Sequence, residues 1–532
     1  MVWRSVGAGS VLAAAALLFQ PVLPPLIAQD STAQPVALPL SAYGELPGIE
    51  DLAISPSGQR VAMLARLDGK RFVVVRDGEG KTLLALEVGD VKVRSIELIS
   101  DDILMMQRST TERLGFGFVQ DKVEFYQAIL VSIPTRQLSV VFAGNGKLIP
   151  SVFGYYGTRM VDGRPTGFFG AIELVKSNVR SEGYVFDHGR PALYAVDLLD
   201  GSHKRVGASA REGENREWLI GPDGAILARL DESDTTGEWQ ITGQSGVIAS
   251  GKSKAGGVYF VTLGKDGTTA IFRQPKDPDG TTGWFEVPLD GSREPVEVYA
   301  DEDIERIFTD RRTGVLTGFL RKGDTNEPVF FDPGRTTKVK KVQAAFSTLN
   351  HQMIDWTPDF AHVIVRTDGN GDSGSIYKVD LARSRADPVG WERPLIGPEH
   401  VAPVSTVSYT AADGLEMGGI LTLPPGRKPE NLPLVMLPHG GPHSHDSEGF
   451  DWWAQALASR GYAVFQPNFR GSTNRDEAFV QAGYGEWGGK MQSDLSDGLA
   501  ALAAKGIVDP KRACIVGASY GGYAALAGVT LQ

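Results

Sequence analysis

The chain has 532 residues, 42% hydrophobic and 22% charged, with a formal net charge of -11. This is ordinary for a globular protein with ample chain for a large core. The acidic balance excludes a broad nucleic-acid surface, which needs clustered Lys and Arg, and the one cysteine, Cys514, excludes an internal disulfide.

In chain order, Arg4 is followed by an apolar run over residues 11–19 and then by Pro-rich and small residues. That layout predicts a secretory signal peptide, set at residues 1–28, with cleavage after Ala28 or after Ala33. The apolar run is short for a membrane span, so a retained anchor is the weaker reading. The mature chain is expected to be exported, periplasmic or secreted, with no membrane span.

Residues 46–398 are β-rich: short apolar runs separated by Gly, Asp, Pro and Ser turns. One signature recurs, a polar turn between two apolar strands. It stands at Ser55-Pro56-Ser57-Gly58, Ser100-Asp101-Asp102, Gly221-Pro222-Asp223-Gly224, Gly264-Lys265-Asp266-Gly267, Thr309-Asp310 and Thr357-Pro358-Asp359. The spacing is roughly 45 residues, the period of a propeller blade. The gap between Ser100 and Gly221 is too long for this period without insertions, and a degenerate turn at Val161-Asp162-Gly163 is taken as a further start. Seven starts predict a seven-bladed β-propeller, with a β-sandwich as the alternative. A second strand type, Leu193-Tyr194-Ala195-Val196-Asp197-Leu198, returns at Trp284 to Leu289 and Ile376 to Leu381 with the alternation of a half-buried strand.

Near residue 400 the pattern changes. Residues 404–424 read as a hairpin around Asp413-Gly414, and residues 432–437 as a strand buried on both faces. A helix over residues 452–460 stops at Gly461, a strand follows at residues 463–465, and a helix at residues 494–504. Residues 513–516 form the last strand, in which Cys514 is expected to be buried. Strands alternating with helices predict an α/β fold over residues 404–532.

Gly517-Ala518-Ser519-Tyr520-Gly521 follows that last strand and precedes a run of helix formers. A Gly-x-Ser-x-Gly pattern between strand and helix is a nucleophile elbow, with Ser519 as nucleophile. The backbone N–H of Tyr520 is the expected first oxyanion donor, and the loop His439-Gly440-Gly441-Pro442 is expected to supply the second. Arg470 either anchors its loop or faces the substrate; the substrate-binding role is adopted here. His443-Ser444-His445-Asp446 is too sparse for a metal site. Asp368, Asn370 and Asp372 lack the glycine and closing glutamate of a calcium loop and predict a hairpin turn. Asp494 and Asp497 read as a solvated or capping pair. No metal and no cofactor are predicted.

The His439-Gly440-Gly441-Pro442 loop, Asn468-Phe469-Arg470-Gly471-Ser472, Gly485-Glu486-Trp487-Gly488, Asp494 with Asp497-Gly498, and the elbow with Gly521-Gly522-Tyr523 occur in this order. The set resembles the prolyl oligopeptidase family of serine peptidases, on its acylaminoacyl-peptidase-like side. The resemblance implies a β-propeller followed by an α/β-hydrolase domain, and hydrolysis of short peptides, with the propeller limiting access by larger substrates. His439 stands where several relatives carry an oxyanion-stabilising tyrosine. Dipeptidyl-peptidase relatives hold the substrate amine with a Glu-Glu pair, and no such pair occurs here.

The family's acid and histidine would follow Ser519, yet residues 520–532 contain no Asp, Glu or His. The hydrolase domain is therefore expected to be incomplete and the chain a fragment with little activity. Its last strand is expected to present an unpaired apolar edge. The alternatives are an esterase of the same fold and a non-catalytic propeller binding protein with a hydrolase remnant.

Overall fold

The computed structural model describes residues 37–531, apart from 114–120, 178–182, 254–256, 277–281 and 324–325. The expected signal peptide lies outside the described residues. No helix among the described residues is long and apolar enough to cross a membrane.

The β-rich region forms successive antiparallel sheets over residues 49–87, 92–140, 155–207, 214–252, 259–298, 304–330 and 350–391. Each has four strands except the sixth, which has three and is followed by the helix Pro333–Ala345. That helix starts on an Asp332 cap that accepts from Gly334 N, with Pro333 at its first position. It buries Val339 and Val342 against Phe330 and Phe360.

The recurring turn of the sequence always joins the first strand of a sheet to the second. Its closing bond repeats: Gly58 N to Ser55 O at 2.8 Å, Gly224 N to Gly221 O at 3.0 Å, Gly267 N to Gly264 O at 2.9 Å. Those closing glycines have φ of 75°, 85° and 75°, a conformation that costs other residues strain. In the last sheet Phe360 takes the same place at φ 54°. The turn at Asp162-Gly163 joins the first two strands of the third sheet, Tyr155–Val161 and Arg164–Ala171. The long interval before Gly221 is filled by the 11-residue strands Ile103–Arg113 and Lys122–Ser132 and by an extra hairpin, Leu174–Lys176 with Tyr184–Phe186.

The first and last sheets share a core: Ile49, Ile54 and Met63 pack with Ile364 and Ile376. First strands of the second to sixth sheets line one cavity of about 620 Å³, to which Glu97, Tyr155, Glu217, Thr262 and Arg311 contribute.

The C-terminal sheet runs in the order Val404–Thr410, Glu416–Thr422, Ala463–Asn468, Leu432–Met436, Val508–Ile515. The first three strands are antiparallel and the last three parallel. Leu434 pairs with Ala463 on one side and Ala513 on the other. Helix Lys490–Ala504 covers one face, packing Met491, Leu495 and Leu502 with Leu434 and Phe465. Helix Trp452–Ala458 covers the other, setting Ala454 and Ala458 against Val435 and Val464.

Two expectations need correction here. The helix expected at residues 494–504 begins a turn earlier, at Lys490. Cys514 is exposed, not buried. Its strand is the outermost of the sheet, paired only with Leu432–Met436 among the described residues, and Pro510 suits such an edge. Beyond it, helix Tyr520–Leu531 leaves Leu526 and Val529 largely exposed.

Candidate active site

The turn after Val508–Ile515 can be made only with glycine on both sides of the serine. A Cβ on Gly517 would lie 2.3 Å from the Gly521 carbonyl carbon, and one on Gly521 would lie 2.1 Å from Pro438 O. Between them Ser519 takes φ 56°, a left-handed conformation uncommon for a non-glycine residue. In this conformation Ser519 is exposed. Helix Tyr520–Leu531 begins at the next residue, so the first N–H groups beside Ser519 have no acceptor within the helix.

The strand Leu432–Met436 delivers the glycine-rich loop to the same point. A Cβ on Gly440 would stand 3.3 Å from Ser519 Cβ and 3.8 Å from its Oγ. Backbone thus approaches Ser519 from two directions, the loop and the helix start. Ser519 Oγ makes no hydrogen bond to another described residue.

His439 is committed to the loop's own structure. Its ring stacks on Phe469 at 4.4 Å between centroids. Nδ1 lies 2.8 Å from Gly440 O and Nε2 lies 2.9 Å from Ser472 Oγ. Burial pulls the ring's pKa down to about 4, so it is neutral at neutral pH. The Gly440 carbonyl can only accept, which places the hydrogen on Nδ1, and the single Ser472 hydroxyl hydrogen lies between His439 Nε2 and Phe469 O, which is 2.6 Å from Ser472 Oγ. Tyr520 is buried, packed on Phe469 at 5.1 Å and Trp487 at 4.9 Å. Burial raises the pKa of its phenol.

Arg470 does not face a substrate. Its side chain is 4% exposed and lies between two carboxylates, with Nη2 2.8 Å from Asp494 Oδ1 and Nη1 2.9 Å from Asp413 Oδ2. Nε also donates to Asp494 Oδ2 at 2.9 Å. Hydrogen bonds to Asp494 hold the guanidinium charged, and Arg470 with Lys490 keeps Asp413 well below the usual carboxylate range. Asp494 is correspondingly fully buried rather than solvated, and Asp497 accepts from Ala412 N at 2.8 Å. The substrate-binding role expected for Arg470 is replaced by anchoring: it ties the loop after Asn468 to the helix Lys490–Ala504 and to the Asp413 turn.

The remaining candidates scatter. His443 tilts against Tyr484 at 5.6 Å, and His445 Nδ1 lies 3.1 Å from Thr473 Oγ1. Among the described residues no group of three or more His, Cys, Asp or Glu could hold a metal. Asp368, Asn370 and Asp372 sit in a tight hairpin: Gly369 pairs with Asp372, and Asn370 Oδ1 accepts from Val404 N at 2.7 Å. Sequence reasoning missed Ser472 and Asp413 as supports. The first lay inside a motif noted as a whole; the second gave no signal beyond a hairpin turn.

Residues 448–532 match the model of the prolyl oligopeptidase family. Over those residues the chain is similar to the prolyl oligopeptidase family. A dipeptidyl aminopeptidase BIII of Pseudoxanthomonas mexicana is 38% identical over 161 residues, 29% of this chain and 23% of that protein. A dipeptidyl peptidase family member 6 of Caenorhabditis elegans is 42% identical over 97 residues, 18% of this chain and 13% of that protein. These matches thus span less than a quarter of either relative. The acylaminoacyl peptidase of Pyrococcus horikoshii superposes with TM-score 0.58 at 14% identity, covering 91% of this chain and 76% of that one. A puromycin-hydrolyzing peptidase of Mycobacterium tuberculosis gives 0.52 at 16% identity, covering 94% and 78%. At these identities the likeness is one of fold, a propeller followed by an α/β-hydrolase sheet.

Proposed function

We propose that Ser519 is the nucleophile of a serine peptidase that cleaves short peptides through an acyl-enzyme. The observation that carries this reading is the left-handed, exposed Ser519 with the Gly440 backbone so near that a Cβ there would stand 3.3 Å from Ser519 Cβ. Ser519 Oγ would attack the scissile carbonyl, and the oxyanion would fall between the Tyr520 N–H and the backbone of the Gly440 loop. His439 serves that loop through its contacts to Gly440 and Ser472 rather than through a ring nitrogen at the oxyanion. The seven sheets are read as seven blades over residues 46–398, and residues 404–532 as the hydrolase part. Export behind a cleaved signal over residues 1–28 belongs to the same proposal.

Serine attack needs a base. All eight histidines precede Ser519, and no described histidine is hydrogen-bonded to it. The 532 residues alone are therefore expected to turn over little substrate. Loss of a triad member typically costs orders of magnitude in rate. Reading the coding sequence past Gln532 for an Asp and then a His tests where the base comes from. A fluorophosphonate probe on the enzyme carrying that base should label wild type and not Ser519→Ala. Robust turnover by the 532-residue chain, abolished by Ser519→Ala, would overturn the expectation of low activity. Ester turnover with no cleavage of the matched amide would replace the peptidase reading with an esterase.

A further inference from the structure

The first described residues cross a seam between the two regions. The short helix Leu40–Gly44 lies against helix Trp452–Ala458, and Tyr43 donates to His400 O at 3.2 Å. The chain then enters the first sheet beside the end of the last one, where Gly48 N donates to Glu392 O at 2.6 Å. Tyr43 packs with Ile396, Val401 and Phe450 in one buried cluster, with Leu38 and Ala456 against it.

Around this cluster large apolar side chains stay in water. Leu40, Leu46, Trp391, Leu395 and Trp452 are between 39% and 65% exposed. Each is tied to the seam. Leu40 stands one helical turn before Tyr43, Leu395 is next to Ile396, and Trp452 shares a helix face with Ala456. A Cβ on Gly48, two residues after Leu46, would stand 3.3 Å from Trp391 O and 3.7 Å from Pro394 Cδ. The charges beside the patch are of both signs. Arg460 donates to Leu38 O, Arg393 lies 4.9 Å from the Phe450 ring centroid, and Glu45 and Glu399 are exposed.

Exposed apolar patches mark protein or membrane contacts, and the sequence leading into this one favours a membrane. Residues 1–36 lie outside the described residues. They carry Arg4 and the apolar run over residues 11–19, the layout of a segment delivered to a membrane. They join the fold at Ala37, directly before Leu38 and Leu40. Fully extended, the residues from Phe19 to Ala37 span no more than about 65 Å. The face of the fold nearest to a bilayer that holds the run is therefore the one bearing this patch. Trp at the bilayer interface, with Leu below it, is the composition such a surface takes.

We propose that this seam patch docks on the surface of a lipid bilayer, holding the chain at a membrane without a spanning segment. Neighbouring charges of both signs make the contact one of apolar insertion rather than attraction to anionic headgroups, so it should be insensitive to lipid charge and to salt. The inference is independent of the role of Ser519.

The test uses residues 29–532, the chain expected after signal removal, which keeps every described residue. Floated with phosphatidylcholine vesicles, it should bind at low and high salt alike. The double variant Leu46→Ser with Leu395→Ser should lower the partition into vesicles by about tenfold or more. Both leucines are largely exposed, so the unfolding midpoint should not move. A second readout uses all 532 residues, where the run over residues 11–19 can itself hold the vesicle. Brominated acyl chains should quench part of the tryptophan emission, and Trp452→Phe should remove much of that quenching. If the double variant unfolds early, this quenching decides alone. No vesicle binding by residues 29–532, binding that survives the double variant, or binding confined to anionic vesicles at low salt overturns the proposal. So does a double variant that turns a dimer into a monomer in sedimentation while vesicle binding is unchanged, which assigns the face to a second copy of the chain.

Discussion

The two regions each place an arginine among acidic residues near their centres, in opposite surroundings. In the propeller, Arg311 pairs with Asp355 at 2.8 Å while its side chain stays 52% exposed to the interior cavity. In the hydrolase part, Arg470 is sealed between Asp494 and Asp413 with 4% of its side chain exposed. Water can take over the solvation of Arg311 if its partner is lost. Arg470 has no such access to water and would be left with Asp413 alone. The same pairing is therefore a replaceable contact in one region and a structural keystone in the other.

The largest expected effect separates these cases directly. Asp494→Ala should destabilise the hydrolase part by about 3–5 kcal/mol, because it removes the fully buried partner of a buried guanidinium and leaves only Asp413. Asp355→Ala should cost the propeller only about 1–2 kcal/mol, mostly through the Ile54 N–H it leaves unpaired. Denaturant unfolding with separate probes for each region reads both, and equal losses would erase the distinction. Next in size, Gly521→Ala should cost about 3 kcal/mol by driving a Cβ into the Pro438 carbonyl. Its unfolding transition should shift in the hydrolase part while the propeller's stays in place.

These buried supports mark the limit of what the sequence reveals. The elbow was legible because glycine, serine and glycine stand between a strand and a helix, a purely local requirement. The propeller turns were legible for the same reason, since a left-handed closing residue selects glycine at Gly58, Gly224 and Gly267. Arg470 was not, because its partners lie 24 and 57 residues away and meet it only after the sheet has formed. The burial of Cys514 was misjudged on similar grounds. An apolar run names a strand, but strand order decides whether that strand is central or outermost.

Smaller effects concern pH. His439 has a folded pKa near 4, below the ordinary value of 6.5. The unfolded chain binds the proton first, so stability is complete above about pH 6.5 and falls as pH drops toward 4, by on the order of 2 kcal/mol. Asp446 shows the reverse: burial, aided by Asp451, raises its pKa to about 7, and its Oδ2 is buried without a hydrogen-bond partner. Its contribution is complete below about pH 4 and is lost as pH rises through 7. His439→Gln should flatten the acid limb of the stability profile, and Asp446→Asn the neutral limb by about 1 kcal/mol. Unfolding midpoints across pH 4–8 check both, and unchanged limbs in the variants would remove these two groups from the account. The smallest effect is chemical: Cys514 is exposed, but burial of part of its thiol raises the pKa. It should titrate fully with a disulfide reagent in the native state, more slowly than a free cysteine. Protection until unfolding would return that strand to the interior.

The left-handed backbone of Ser519 implies a trade between folding and chemistry. Glycine adopts that conformation without the strain borne by an L side chain, on the order of 1 kcal/mol. Ser519→Gly should therefore fold at least as well as the natural chain while losing the proposed nucleophile. Under that proposal, selection for stability alone and selection for catalysis point to different residues at this position.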